Sequence, residues 1–344
     1  MRRKVALVTS GLGTRYGGIG VVADTMVSAL RPDHEVLVWV HPASWPRFLR
    51  ISLITWRVLW GSLKRPDLVI YDHVHLAVLH AIVPGLAGIP YVVFLHGVEA
   101  WQPLQGRRRE ALLRANLLLT NSATTESEAR PANPWLPKIN VTWLGVPRQL
   151  QPANVNASPP LGLIVGRMVD EERYKGHDAI MDAWPQIRAA VPGAKLMIIG
   201  KGNDAGRLRR RAEREHLEGV EFCGYVTDAQ RDQLYRSCRM LFLPSKGEGF
   251  GLAAVEAASF GVPVVGLAGT VTEELFPNGT GALLAKNLDA QSIAEVAIPV
   301  LADSKYAAEL GRAACARVQS AFLEEHFAER LRKALFPLLP TAGF

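Results

Sequence analysis

The sequence predicts an α/β protein made of two doubly wound domains, each a parallel sheet with helices on both faces. Three observations predict it. Short apolar runs rich in Val, Leu and Ile alternate with longer amphipathic stretches along most of the 344 residues. Alternation of that kind produces parallel strands joined by crossover helices. The chain is long enough for two cores. An uncharged stretch rich in Pro, Asn and Ser, QLQPANVNASPP at 149–160, interrupts the pattern and reads as a linker.

Six strands are expected before the linker, at residues 5–9, 35–40, 67–71, 91–95, 117–121 and 140–143. Each is a run of apolar, largely β-branched or Leu residues bounded by polar, Gly or Pro positions. A second series follows at 161–165, 195–199, 220–222, 240–243 and 262–267, with helices between them that include 177–190 and 205–216. After the helical stretch 304–319, a second amphipathic helix over 322–335 follows without an intervening strand and stops before Pro337. A helix placed there is expected to return to the first domain. The predicted boundaries are 1–148, a linker at 149–160, a second domain at 161–320, and a returning helix in 321–344. The two domains are expected to face one another across a cleft.

With 49% hydrophobic and 21% charged residues the chain is too apolar for disorder. Its net charge of +7 is unevenly placed: residues 1–150 hold 17 basic and 9 acidic side chains, the remainder 22 and 23. A local excess of cations predicts an anionic partner for the front part of the chain. Cys223, Cys238 and Cys315 have no CxxC spacing, which argues against a disulfide framework and for a reducing, cytoplasmic setting. The opening MRRKVALVTSG lacks the apolar core of a secretory signal. The uncharged stretch 73–98 is long enough to span a bilayer, but Pro84, Gly85, Gly88 and Pro90 break it into two short pieces.

The richest region is 240–267, MLFLPSKGEGFGLAAVEAASFGVPVVGL. A strand ends at Pro244, a loop carries Glu248, Gly249, Phe250 and Gly251, and a helix opens at Leu252 with Glu256 one turn inside it. Glycines let backbone N–H groups approach a ligand, and a helix N-terminus favours an anion, so this is a phosphate-binding geometry. Seven residues separate Glu248 from Glu256. That Glu-x7-Glu spacing, followed by A-x-x-x-G-V-P-V-V, resembles the donor-site signature of the family 4 retaining glycosyltransferases, which have the GT-B fold. Other matches follow in the expected order. Gly166-Arg167 and Lys175-Gly176 in GRMVDEERYKG are similar to the family's Arg and Lys pair for the donor pyrophosphate. Gly200 and Gly202 in GKG, and Val226 in FCGYV, resemble its nucleotide-side loops. Gly17 and Gly18 resemble the glycine loop that approaches the diphosphate from the first domain, and His96-Gly97 resembles the active-site histidine motif.

The resemblance implies transfer of a sugar from a nucleotide-sugar, UDP- or GDP-linked, with retention of configuration and without metal or cofactor. Glu248 is implied at the donor sugar's hydroxyls and Glu256 at the ribose, with His96 beside the sugar. A nucleotide-sugar leaves as a diphosphate, so fixed charge at Arg167 and Lys175 and N–H groups at Gly251–Leu252 stabilise what develops as the bond breaks. Where the family often has a second glycine in the loop after Val265, this chain has Thr270, in AGTVTE, ahead of Glu273. The acidic run at 170–172 reads as a solvated loop, and His73 and His75 as cleft wall or core, since a metal would need a third ligand. No dinucleotide fingerprint is present, because Tyr16 stands where the third glycine of Gly11-x-Gly13-x-x-Gly would be.

Residues 45–66, WPRFLRISLITWRVLWGSLKRP, contain no acid. A helical wheel gathers Arg47, Arg50, Arg57, Lys64 and Arg65 on roughly one 100° arc. Phe48, Leu49, Trp56, Leu59, Trp60 and Leu63 take the other side. Such a helix either lies on an anionic bilayer or packs its apolar side on the sheet with the cations in water. Arg107–Arg109 add to the charge, and no nucleic-acid recognition motif accompanies it. The expected acceptor is therefore lipid-linked or otherwise anionic, a glycoconjugate or exopolysaccharide precursor, met at the inner membrane surface. The alternatives are a sugar-nucleotide epimerase or phosphorylase of the same fold, and a non-catalytic nucleotide-sugar binder.

Overall fold

The computed structural model describes residues 2–13, 16–40, 47–149 and 159–339. The chain divides into two compact units, one of Met1–Gly145 with Glu324–Phe344, the other of Val146–Leu323. Of the predicted linker at 149–160, residues 150–158 lie outside the described residues.

The first unit runs β1 (Lys4–Thr9), α1 (Gly17–Leu30), β2 (Glu35–Val40), α2 (Arg47–Ser62), β3 (Leu68–Tyr71), α3 (Val74–Ala77), β4 (Tyr91–Leu95), α4 (Gly106–Leu113), β5 (Leu117–Thr120), α5 (Ala123–Ala132) and β6 (Ile139–Val141). Its sheet order is β2-β1-β3-β4-β5-β6, every pair parallel. β1, β3 and β4 are buried almost throughout, as strands covered on both faces must be, which is why they read as continuous apolar runs. The uncharged 73–98 stretch becomes α3, two short 3₁₀ turns at Val78–Ala81 and Pro84–Leu86, and β4. Among the described residues no helix is long and apolar enough to cross a membrane.

The second unit runs β7 (Leu161–Val165), α6 (His177–Ala190), β8 (Lys195–Ile199), α7 (Ala205–Arg214), β9 (Val220–Gly224), α8 (Asp228–Ser237), β10 (Met240–Leu243), α9 (Leu252–Ser259), β11 (Val264–Leu267), α10 (Val271–Leu275), β12 (Ala282–Ala285), α11 (Ala290–Ala302) and α12 (Ser304–Ala321). Its order, β12-β11-β10-β7-β8-β9, places β7 and β10 side by side at the centre. That is the switch point of a doubly wound sheet, where ligands gather at the strands' carboxyl ends. The sequence reading missed β12, four residues that follow a Gly-Thr-Gly turn and pair only with β11.

The last helix, α13 (Glu324–Leu335), belongs to the first unit and packs along α1. It buries Phe327, Leu331 and Leu335. Arg332 reaches Asp33 at 3.1 Å, and Arg330 Nη2 donates to the Trp143 carbonyl at 2.9 Å. The amphipathic spacing of 322–335 thus serves the first domain's core.

Candidate active site

In the second unit the loops after β7, β8 and β9 continue the ladder beyond the strands. Gly166 N donates to Ile199 O at 2.9 Å, Met168 N to Lys201 O at 3.0 Å and Gly200 N to Gly224 O at 2.8 Å. This close approach explains two of the predicted glycines. A Cβ on Gly200 would stand 1.8 Å from Gly166 O, and one on Gly202 1.8 Å from Met168 O. Both glycines therefore clamp the loop that carries Arg167.

From that loop the chain makes a 3₁₀ turn, Asp170–Lys175, and enters α6 through Gly176 at φ 80°. Lys246 N donates to Tyr174 O at 3.0 Å, which ties this turn to the loop after β10. The result brings Lys175 Nζ to 3.1 Å from Glu248 Oε2, with both side chains about four-fifths buried. Arg167 is held by Glu172 through Nη2 and Oε1. Behind them Asp204 accepts from both Arg173 and Arg207, while Asp178 accepts from Arg207 and Arg211. Hydrogen bonds from Arg207, and then Arg173, hold the Asp204 carboxyl well below its usual range against the cost of burial. His177 is buried, and its Nε2 has no partner among the described residues. Burial, and then neighbouring Lys175, push it down to about 4, so it is neutral at pH 7.

Gly251, at φ 79°, caps α9, and a Cβ there would press on Leu243 at 2.9 Å. Phe250 packs its ring edge-on against Phe322, so only its backbone is available to a ligand. Glu256 lies one turn into α9, where Tyr235 Oη donates to it at 3.0 Å and Arg231 Nε stands 3.4 Å away. Burial pushes its carboxyl up despite Arg231. Val226 is half-buried beside the Thr227 cap of α8, whose capping box closes with Gln230. Glu273 accepts from Gly269 N at 2.7 Å, bracing the loop that holds Thr270.

In the first unit a polar cluster sits where β1, β3, β4 and β5 end. His96 follows β4, and its Nε2 meets the Asp72 carbonyl at 2.6 Å. A carbonyl only accepts, so Nε2 carries the proton. Burial holds the ring's pKa down, and Nδ1 is left as an acceptor with no partner among the described residues. Glu99 Oε1 accepts from His96 N, and Asn121 Nδ2 donates to His96 O at 2.9 Å. Asp72 itself is fully buried. Its Oδ2 accepts from Thr9 Oγ1 and from Ser10 N, and Oδ1 has no partner among the described residues. Burial raises its pKa to about 7 against those two hydrogen bonds. Asp72, Glu99 and Asn121, like Tyr235 and Arg231 in the second unit, went unnoticed in the sequence, and Glu172, read there as part of a solvated loop, is instead turned inward onto Arg167. For Asp72 and Asn121 a signal existed: each directly follows a buried strand, as His96 does.

At the start of α1, Gly17 has φ 69° with open space around it, Gly18 is exposed, and Gly20 packs against Gly13 O. His73 and His75 stack at 4.7 Å, and His75 N donates to His73 Nδ1. Among the described residues no cluster of three or more His, Cys, Asp or Glu could hold a metal.

The 45–66 segment departs from its wheel. α2 ends at Ser62, so Lys64 and Arg65 leave the helical arc, and Arg65 adopts φ 48°. The face that packs is Ile54, Val58, Gly61 and Ser62, against β2 and the 3₁₀ turn at Pro84–Leu86. Trp56, Leu59, Trp60 and Leu63 are 44–71% exposed. Arg57 emerges among them and donates to Val40 O at 2.6 Å. Trp39, Trp56, Trp60, Arg57 and Lys64 line a groove of about 400 Å³. Residues 45 and 46 and the side chains of Arg47, Phe48, Leu49 and Arg50 lie outside the described residues.

Comparisons with known proteins agree with this architecture. Residues 147–317 match the family model described as glycosyl transferases group 1. A GDP-mannose-dependent monoacylated alpha-(1-6)-phosphatidylinositol monomannoside mannosyltransferase of Corynebacterium glutamicum is 31% identical over 169 residues, 47% of this chain and 44% of that protein. A glycogen synthase of Mycobacterium tuberculosis is 31% identical over 235 residues, 66% of this chain and 53% of its own length. The matched segments thus span about half the length of these relatives. The Anabaena protein HepE, solved in complex with UDP and glucose, superposes with a TM-score of 0.79 at 19% identity, covering 98% of this chain and 100% of its own. The chain has the GT-B fold, and its match to the glycosyl transferases group 1 model falls within the second unit.

Proposed function

We propose that the protein is a glycosyltransferase that moves a sugar from a nucleotide-sugar to an acceptor, with retention of configuration. One observation carries the reading. The adjacency of β7 and β10 gathers Arg167, Lys175 and Glu248 at one carboxyl edge of the sheet, with Lys175 and Glu248 3.1 Å apart. Two cations there offer charge to a departing diphosphate, and the α9 N-terminus adds N–H donors. In this reading Glu248 holds the sugar hydroxyls, and Glu256, braced by Tyr235 and Arg231, takes the ribose. The backbones of Gly249–Leu252, the Gly200–Gly202 loop and Val226 contact the nucleotide. Gly17, Gly18 and His96 are assigned to the diphosphate and sugar from the first unit, His96 as a neutral ring that accepts through Nδ1. The acceptor attacks from the face the diphosphate leaves, and the diphosphate takes its proton. A GDP-mannose-dependent relative and a structural neighbour that binds UDP support a UDP- or GDP-linked donor.

The reading calls for no metal or cofactor, so a chelator is expected to leave turnover unchanged. A panel of UDP-, GDP- and ADP-sugars read by thermal shift tests the donor, because a bound donor raises the melting temperature by mass action. Lys175→Ala is expected to lower turnover by roughly 10²–10³, the scale of losing one preorganised charge partner. Unchanged turnover would sink the assignment. The anomer of the product, read by NMR, tests retention.

The acceptor is proposed to be lipid-linked or anionic, with the enzyme peripheral on the inner membrane face. The exposed Trp56, Leu59, Trp60 and Leu63 beside Arg57 and Lys64 support this. Indole and alkyl groups enter the interface while cations meet anionic headgroups. Equal sedimentation with neutral and anionic vesicles at low salt would refute it.

A further inference from the structure

The acidic run 170–172 read as a solvated loop, yet its three carboxylates do three different things. Asp170 is pinned to the loop after β8, accepting from Asn203 Nδ2 at 2.8 Å while its own N–H donates to Asn203 Oδ1 at 3.0 Å. Glu171 is exposed and pairs with no cation among the described residues. Glu172 turns inward. Its side chain is 15% exposed, Oε1 holds Arg167 Nη2, and Oε2 is buried with no partner among the described residues. Glu172 N donates to Val169 O at 2.9 Å, which fixes its backbone, whereas the Arg167 side chain is 69% exposed, with open solvent beside it.

We propose that Glu172 is an internal stand-in for phosphate, occupying Arg167 in the empty site and competing there with the diphosphate of donor and product. The proposal rests on the donor-site reading above. A carboxylate five residues from its cation is a tethered competitor at high effective concentration. An incoming diphosphate must share Arg167 with it or draw the guanidinium away, against repulsion from the carboxylate left behind. Glu248 does the same at Lys175, with one difference: in the donor-site reading it has sugar hydroxyls to turn to. Glu172 has none, so its competition weighs equally on every ligand that carries the diphosphate. It weakens donor and product alike, and it helps the nucleoside diphosphate leave after transfer.

Calorimetric titration of the full chain with UDP, GDP, UDP-glucose and GDP-mannose tests this, comparing wild type with Glu172→Gln and Glu171→Gln, which remove the same net charge. Glu172→Gln is expected to tighten the diphosphate and its sugar ester by about three- to tenfold, the range open to a partly exposed ion pair. Their ratio stays constant, and Glu171→Gln matches wild type. Replacing Arg167 by Gln erases the gain. Equal affinities in all three proteins overturn the proposal, as does weaker binding by folded Glu172→Gln. Glu172→Ala repeats the comparison if the glutamine variant does not fold. A wild type that binds none of the four ligands overturns the donor-site reading itself.

Discussion

Asp72 joins the β1 loop, through Thr9 and Ser10, to the segment whose carbonyl orients His96. Its pKa near 7 has a thermodynamic consequence. Unfolded, the carboxyl releases its proton near pH 4; folded, it keeps it to about pH 7. The unfolded state therefore binds fewer protons between these values. The contribution of Asp72 to stability is fully present below about pH 4 and declines by at most about 1.4 kcal/mol per unit as pH rises to 7. Asp72→Asn is expected to abolish that slope, measurable as denaturant midpoints that no longer fall between about pH 4 and 7. If the slope persists, the ionisation lies elsewhere. None of this could be read from the sequence: the Asp72–His96 contact is long-range, and only its position after a strand marked the residue. Glu248 and Lys175 could be read, because motif spacing is local, but Glu172 could not, since nothing in the acidic run distinguishes its three members.

At the scale of elements, patterning recovered most of both sheets. β2, β4, β7, β8 and β10 coincide with their predicted limits; for β4, β7 and β10 the reason is burial on both faces, which leaves uninterrupted apolar runs. Where patterning failed, tertiary packing had overridden it. The wheel for α2 left open whether its largest apolar residues meet a bilayer or the sheet, and the sheet accepts Ile54 and Val58 and leaves the tryptophans outside. Trp56→Ala with Trp60→Ala is therefore expected to change stability by only about 0.5 kcal/mol each while reducing binding to anionic vesicles. Ile54→Ala, on the packed face, is expected to cost about 2–5 kcal/mol. Chemical denaturation paired with vesicle sedimentation separates the two. The loop clamps behave differently. Gly202→Ala would drive a methyl into Met168 O, so the Arg167 loop must shift. Weaker nucleotide binding by the folded variant, with secondary structure intact by circular dichroism, is the expected result.

At the scale of the whole chain, the notable feature is that the first unit is discontinuous. Its core is completed by α13, supplied after the entire second unit. Truncation after Leu323 is expected to expose the α1 surface that covers Phe327, Leu331 and Leu335, and to loosen the first unit alone. Hydrogen exchange should rise in residues 4–141 and stay unchanged in 161–321. A uniform rise would show that the helix stabilises more than its own unit. The same connectivity sets an order on synthesis. Domains emerging from a ribosome generally fold first at the amino end, but here the leading unit lacks an outer layer until the last helix is translated. The second unit, continuous in sequence, can mature first, so the first unit, begun ahead of it, is completed after it and depends longer on protection of its uncovered α1 face.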